Sequence, residues 1–200
     1  MGDEIPGTPE APAAAPSEPA PVPAASEPLL PPAADVPRPP APIGVRVLAG
    51  LECGVAGGLV MLFWFLADSW LRGDFIWKVP HLFASLYYGD RIFRASFGMV
   101  TVTGIALLLV ASGSVGILFG CLVARPPHIF RLAIGALVVS MCWYWFDQTV
   151  LWRHWLLLVP AYVLPSTMVV AHLLYGLVLS RYSRSLHRLG QALADSPVLK

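Results

Sequence analysis

The chain has 200 residues, of which 56% are hydrophobic and 12% charged, with a formal net charge of +1 and a mean hydropathy of +0.67. Soluble domains contain about 25% charged residues, so the composition excludes an ordinary soluble domain. It predicts an all-α integral membrane protein with four transmembrane helices in a compact bundle. The basic residues form no dense run of the kind that binds nucleic acid, so we predict no nucleic-acid partner. The apolar composition makes the lipid bilayer the expected partner.

Residues 1–42 form a proline-, alanine- and glutamate-rich tail that holds fourteen of the twenty prolines and six of the twelve acidic residues. Proline fixes φ and removes a backbone donor, and the tail has little apolar bulk to pack. We therefore predict a disordered tail with extended polyproline character, and no signal peptide. The tail is either a solvated tether or a ligand that docks through Pro31–Pro32 and Pro39–Pro40 on a partner.

Two predicted spans, residues 45–67 and 97–123, carry small residues at intervals of four. The second span lies in a run without a charged side chain between Arg94 and Arg125. Small residues on one helix face let another helix approach closely, which drives helix association in lipid. We predict that the two small-residue faces are in contact, within the chain or between copies. These helix-packing residues are Gly50, Gly54 and Gly58 in the first span and Ser112, Gly116 and Gly120 in the second.

Residues 68–96 connect these two spans and are too polar and too interrupted to cross a bilayer. Pro80 suits the first turn of a helix and Gly89 suits its end. We predict an interfacial helix that packs on the bundle, with a cover over a cavity as the alternative. Its apolar stripe consists of Leu82, Phe83, Leu86 and Tyr87.

The third predicted span covers residues 129–150 and follows Pro126–Pro127. This short connection predicts that the second and third spans are antiparallel neighbours. Asp147 lies sixteen residues after Arg131, or about 24 Å at about 1.5 Å per residue, and so belongs near the opposite boundary. There we expect it to be solvated or paired with Arg153, with a binding role as the alternative.

The fourth predicted span covers residues 159–181, and residues 183–200 form a short basic C-terminal extension. Pro160 and Pro165 are expected to start, kink or break this helix at its far end. His172 lies nine residues before Arg181, or about 13 Å along the helix, close to the middle of a bilayer.

Four polar residues fall at similar depths if the arginines at the span ends share one side: Glu52, Ser140, His172 and Tyr175. We predict that they form one buried polar cluster beside the small residues of the second span. Two interpretations stay open, because depth does not specify helix rotation. The cluster is either a proton relay or ligand site within the membrane, or a hydrogen-bonded network that holds the helices together.

The sequence lacks the residue patterns that disulfide, metal, haem and catalytic sites require. Cys53, Cys121 and Cys142 are scattered one per span, which predicts neither a disulfide framework nor a zinc site. Only His172 among the histidines is deep, whereas a haem held within a helix bundle needs paired histidines. Since neither HExxH nor GxSxG occurs, we predict no catalytic residue, no cofactor and no metal.

These patterns favour a non-enzymatic polytopic membrane protein. It would be a structural or accessory subunit that associates through its small-residue helix faces, as a homo-oligomer or in a larger membrane complex. The alternative is a small transporter or proton-conducting protein that uses a buried Glu52/His172 cluster. Near the spans, seven arginines lie on the side of the termini against five basic residues on the other side. This bias predicts a multi-pass protein of the plasma membrane with both termini in the cytoplasm.

Overall fold

The computed structural model describes residues 41–124 and 128–195, which form helices and turns and contain no strand. They belong to one compact unit, Pro39–Lys200. The predicted disordered tail lies outside the described residues except for its last two positions. The helical elements are α1 (Ile43–Leu71), α2 (Lys78–Tyr88), a 3₁₀ turn (Gly89–Arg94), α3 (Met99–Leu122), α4 (Ile129–Phe146), a π turn (Asp147–Leu151), α5 (Trp152–His154), α6 (Leu158–Tyr162), α7 (Pro165–Leu179) and α8 (Tyr182–Ala194).

Three helical stretches are long and apolar enough to cross a membrane: Ile43–Leu71, Met99–Leu122 and Ile129–His154. The third joins α4, the π turn and α5. The all-α prediction is confirmed for the described residues, and these stretches coincide with the first three predicted spans.

The fourth predicted span, residues 159–181, is divided in the structure. Leu164 is extended, α6 ends before it, and α7 begins at Pro165. Proline suits the first turn of a helix, but it has no N–H to continue the hydrogen bonds of a preceding one. At about 1.5 Å per residue the fifteen residues of α7 extend about 22 Å, less than the roughly 30 Å hydrocarbon core of a bilayer.

α1 is the central helix of the bundle and packs against α3, α7 and the start of α8. α4 packs chiefly on α7 and hardly touches α3, so the prediction that the second and third spans are neighbours is wrong. Gly176 explains the preference for α7, because a Cβ there would lie 3.1 Å from Ser140 Cβ and 3.2 Å from Leu137 Cα. A short connection sets the direction of the next helix and does not set its neighbour.

The two predicted small-residue faces meet within the chain, at a contact that we call the glycine seam (Gly50, Gly54 and Gly58 against Ser112, Gly116 and Gly120). A Cβ on Gly54 would lie 2.6 Å from the Ser112 carbonyl oxygen, and one on Gly116 would lie 2.6 Å from Gly54 Cα. The helix backbones are therefore too close for any side chain. Since these faces are occupied within the chain, association with another protein needs a different surface.

Polar contacts tie both ends of the bundle. At the end where α1 begins, which we call the Arg46 end, the Arg46 guanidinium donates to the carbonyl oxygens of Gly120 (3.2 Å) and Cys121. A cation there complements the negative end of the α3 dipole. At the opposite end, which we call the Asp68 end, Asp68 accepts from Arg72 Nε and Thr167 Oγ1 at 3.0 Å each. The bond to Asp68 raises the pKa of Arg72.

The predicted interfacial segment, residues 68–96, contains α2, which packs on the start of α3. Gly104 allows this approach, because a Cβ there would lie 3.0 Å from Pro80 Cα. The predicted apolar stripe is divided: Leu82 is buried and Phe83 partly buried, while Leu86 and Tyr87 are exposed. The buried side of α2 thus packs against the helix bundle, and its backbone approaches α3 closely at Pro80.

Candidate functional site

A buried histidine–aspartate pair joins α7 to the end of α4. His172 Nε2 lies 3.2 Å from Asp147 Oδ2, and the two side chains are only 1% and 8% exposed. The other ring nitrogen, Nδ1, lies 2.8 Å from the carbonyl oxygen of Met168, one turn earlier on α7. Both nitrogens of the imidazole are therefore engaged.

These contacts specify how many protons the pair holds. A carbonyl oxygen can only accept, so the bond to Met168 places a hydrogen on His172 Nδ1. Nε2 and Oδ2 then form a hydrogen bond only when one proton lies between them, carried by the ring or by the carboxyl group. In either form the pair is neutral overall. Loss of that proton would leave a buried negative charge facing a ring lone pair, which is energetically costly.

The prediction that Asp147 is solvated or paired with Arg153 is wrong, because it is buried against His172. Helical side chains lean towards the N-terminus of their own helix. α7 runs antiparallel to α4, so the His172 ring leans towards the end of α4, where Asp147 begins the π turn. Such turns are rare within α-helices and frequently occur at functional sites.

Of the other predicted cluster residues, Ser140 contacts His172, and Tyr175 is directed to the glycine seam. Ser140 is fully buried and donates through Oγ to the carbonyl oxygen of His172. Tyr175 donates through its hydroxyl to the Ser112 carbonyl oxygen at 2.7 Å, beside the glycine seam. The Tyr175 ring covers Gly57, where a Cβ would lie 2.6 Å from the ring. We call the contact of Ser140 and Asp147 with His172 the polar seam.

Glu52 does not belong to the predicted cluster. Its side chain is 41% exposed and accepts from Ser185 Oγ and Arg188 Nη2 of α8. Glu52 lies two residues from Gly54, which is about 200° of rotation, so it faces away from the glycine seam. Because the glycines fix the rotation of α1, Glu52 is directed to α8 at the Arg46 end.

A small cavity of about 20 Å³ adjoins the polar seam, enough for about one water molecule. Asp147 and Trp152 both line it, among apolar side chains that include Met61, Phe65 and Met168. Asp147 Oδ1 and Trp152 Nε1 are buried and have no hydrogen-bond partner among the described residues. One acceptor and one donor are thus available beside the bound proton.

A larger cavity of about 440 Å³ lies at the Asp68 end, between α2, the 3₁₀ turn and α6. Three of its polar side chains, Asp74, Lys78 and His81, already have hydrogen-bond partners. Lys78 Nζ lies 2.7 Å from Asp74 Oδ2, and His81 Nε2 lies 2.8 Å from Thr101 Oγ1. This arrangement favours a structural role for His81, which links α2 to α3.

Sequence reasoning missed Asp147 as the partner of His172, although a signal was present. Asp147 is the only acidic residue between Asp90 and Asp195, and it lies in a strongly apolar stretch. Within the described parts of the chain, no group of three or more His, Cys, Asp or Glu side chains could hold a metal ion. No protein-family model, curated protein or solved structure matches this chain.

Proposed function

We propose that this chain is a non-enzymatic integral membrane protein whose His172–Asp147 pair binds and releases a proton within the membrane domain. The observation that carries this proposal is the buried bond between Nε2 and Oδ2, which requires one shared proton. Ionisable groups among membrane helices are rare, and they commonly mark the paths of ions or protons. Asp147 takes the role that the sequence interpretation gave to Glu52.

The proposal includes four membrane crossings, with α7 as the fourth. No Asp, Glu, Lys or Arg occurs between Trp155 and Ser180. α7 lies between α1 and α4 and is antiparallel to both, and the segment from Val159 to Leu164 extends it towards the Asp68 end. Four crossings put both termini on one side, and the excess of arginines there favours the cytoplasmic side of the plasma membrane.

A proton-coupled function follows from the chemistry of the His172–Asp147 pair after it has released its shared proton. Without its proton the pair carries a net negative charge in an apolar environment, which is unfavourable unless a cation replaces the proton or α4 and α7 separate. Proton release would therefore be linked to movement of a second solute or of the two helices. We infer a small proton-coupled transporter or conductor.

Proton flux in liposomes tests this function. The full chain is reconstituted with a pH-sensitive dye inside the vesicles, and a proton gradient is imposed. The decisive variant is Asp147→Asn, because its amide still donates to His172 Nε2 but holds no exchangeable charge. The matched control is Asp90→Asn, which removes an exposed carboxylate outside the site.

We expect the wild-type protein and Asp90→Asn to conduct protons equally. We expect the proton flux of Asp147→Asn to be at least about tenfold lower, because the variant lacks the ionisable group on the proposed path. Wild-type flux no greater than that of protein-free liposomes would refute conduction. Equal flux in Asp147→Asn and the wild type would show that the pair is not on the path.

A second candidate function is an accessory subunit, and the position of α4 favours it. α4 buries only Leu132, Ala136 and Ser140 against the rest of the chain, while Val138 and Trp145 are exposed. This leaves an apolar face for lipid or for another protein. Native mass spectrometry of the protein extracted from its own membrane distinguishes the two. A stoichiometric partner that cross-links to the thiol of a Val138→Cys variant supports a subunit, whereas recovery of the chain alone contradicts it.

A further inference from the structure

A basic cavity lies at the Arg46 end of the bundle, far from the polar seam. Its volume is about 320 Å³, and it is formed where α7 ends and α8 folds back across α1. α1 contributes Glu52, Cys53 and Ala56, and three arginines line the opposite side, Arg181, Arg184 and Arg188.

The cavity carries a surplus of positive charge. Three guanidinium groups face one carboxylate, and that carboxylate is already occupied, because Glu52 accepts from Arg188 and Ser185. Among the described residues no carboxylate lies within ion-pair distance of Arg181 or Arg184. These two guanidinium groups are thus available to an anion, while Glu52 holds Arg188 at the rim.

The helix that carries these arginines is anchored on the bundle. Tyr182 is fully buried and its hydroxyl donates to the Gly120 carbonyl oxygen at 3.3 Å, with its ring at right angles to Phe119. Leu186 is also buried, one turn further along. The arginines are therefore presented from a fixed helix, which lowers the entropic cost of binding a ligand.

An apolar strip leads away from the cavity along α1. Ala56, Leu59 and Phe63 are exposed, and at about 100° per residue they lie within about 40° of Glu52 around the helix. A ligand with a charged group in the cavity could thus lay a hydrocarbon chain along this strip. Basic pockets between membrane helices at the boundary with water are suited to anionic lipid headgroups.

We propose that this cavity binds a phosphate-bearing group through Arg181 and Arg184, and that its source is the headgroup of an anionic phospholipid. Guanidinium groups recognise phosphate through paired, charge-assisted hydrogen bonds. The apolar strip distinguishes a phospholipid from free phosphate, because inorganic phosphate makes no use of it. This site is independent of the proposed proton function, since its residues and its end of the bundle are different.

The test is a titration of the purified full chain in non-ionic detergent, followed by native mass spectrometry. The probes are phosphatidylglycerol, phosphatidylcholine and inorganic phosphate. The variants are Arg184→Gln, Arg184→Lys and the control Arg131→Gln, which removes an exposed arginine at the same end of the bundle but outside the cavity. Circular dichroism verifies that each variant keeps the helical content of the wild type.

We expect phosphatidylglycerol to bind more tightly than phosphatidylcholine, and Arg184→Gln to weaken phosphatidylglycerol about tenfold, as for loss of a charged hydrogen bond. Arg184→Lys should recover part of the affinity and Arg131→Gln should match the wild type. Equal weakening in Arg131→Gln and Arg184→Gln would overturn the site, because it would indicate general surface charge. Displacement of the lipid by inorganic phosphate at a similar concentration would overturn the lipid as the source.

Discussion

The glycine seam and the polar seam hold helices together in opposite ways. In the glycine seam the backbones of α1 and α3 touch, because five of its six residues are glycines and the sixth, Ser112, has only a small side chain against Gly58. In the polar seam α4 and α7 are joined by buried side chains, with a histidine that contacts both a serine and an aspartate. The first contact tolerates no added atoms, while the second depends on hydrogen bonds and a proton. Close packing and polar chemistry are thus separated in one small bundle.

The largest expected effect is at the glycine seam. Gly116→Leu places a Cβ 2.6 Å from Gly54 Cα, and backbone atoms cannot move aside. Overpacking costs about 1–3 kcal/mol where side chains can adjust, so we expect a loss of at least about 3 kcal/mol or failure to fold. The control is Gly135→Leu on α4, where an added Cβ meets nothing within 4 Å. Thermal unfolding in one detergent compares them, and equal melting temperatures would refute the seam.

The next effect distinguishes the contribution of the Asp147–His172 hydrogen bond from the contribution of side-chain packing. Asp147→Leu leaves His172 Nε2 buried without a partner, which we expect to cost about 1–3 kcal/mol. Asp147→Asn keeps a donor towards Nε2 and should stay within about 1 kcal/mol of the wild type. Chemical denaturation of both variants measures the difference. If Asp147→Leu were as stable as Asp147→Asn, the hydrogen bond would make no contribution.

A smaller effect is expected where the two seams approach each other. Tyr175→Phe removes the hydroxyl that donates to the Ser112 carbonyl oxygen and leaves the ring against Gly57. Hydrogen bonds between membrane helices contribute about 0.6 kcal/mol on average, so a loss of about 0.5–1 kcal/mol is expected. Tyr87→Phe is the control, because that side chain is 70% exposed. Unfolding curves that coincide for the two variants would contradict the link.

The smallest effect concerns the cavity beside the polar seam. Trp152 Nε1 has no hydrogen-bond partner among the described residues, so Trp152→Phe removes a donor without breaking a bond. We expect the free energy of unfolding to change by less than about 1 kcal/mol, since the loss of ring volume opposes the removal of an unsatisfied group. A loss above about 2 kcal/mol would contradict this balance of opposing effects.

The sequence by itself determined the properties that belong to a single helix, namely where the helix lies along the chain and which face can pack closely. Long apolar runs predict the helices Ile43–Leu71 and Met99–Leu122, and the four-residue spacing of Gly50, Gly54 and Gly58 predicts a packing face. Both signals are local, because they follow from about 1.5 Å and about 100° per residue. The predicted depth of His172 rests on the same arithmetic.

Only the tertiary structure decided which residues meet. Helices that are apolar on all sides carry little information about rotation or neighbours, so depth alone grouped Glu52 with His172. The glycine seam fixed the rotation of α1 and turned Glu52 towards Arg188, while Gly176 brought α7 rather than α3 beside α4. The pairing of His172 with Asp147 then follows from the antiparallel contact of two helices that are distant along the chain, and no local pattern encodes that contact.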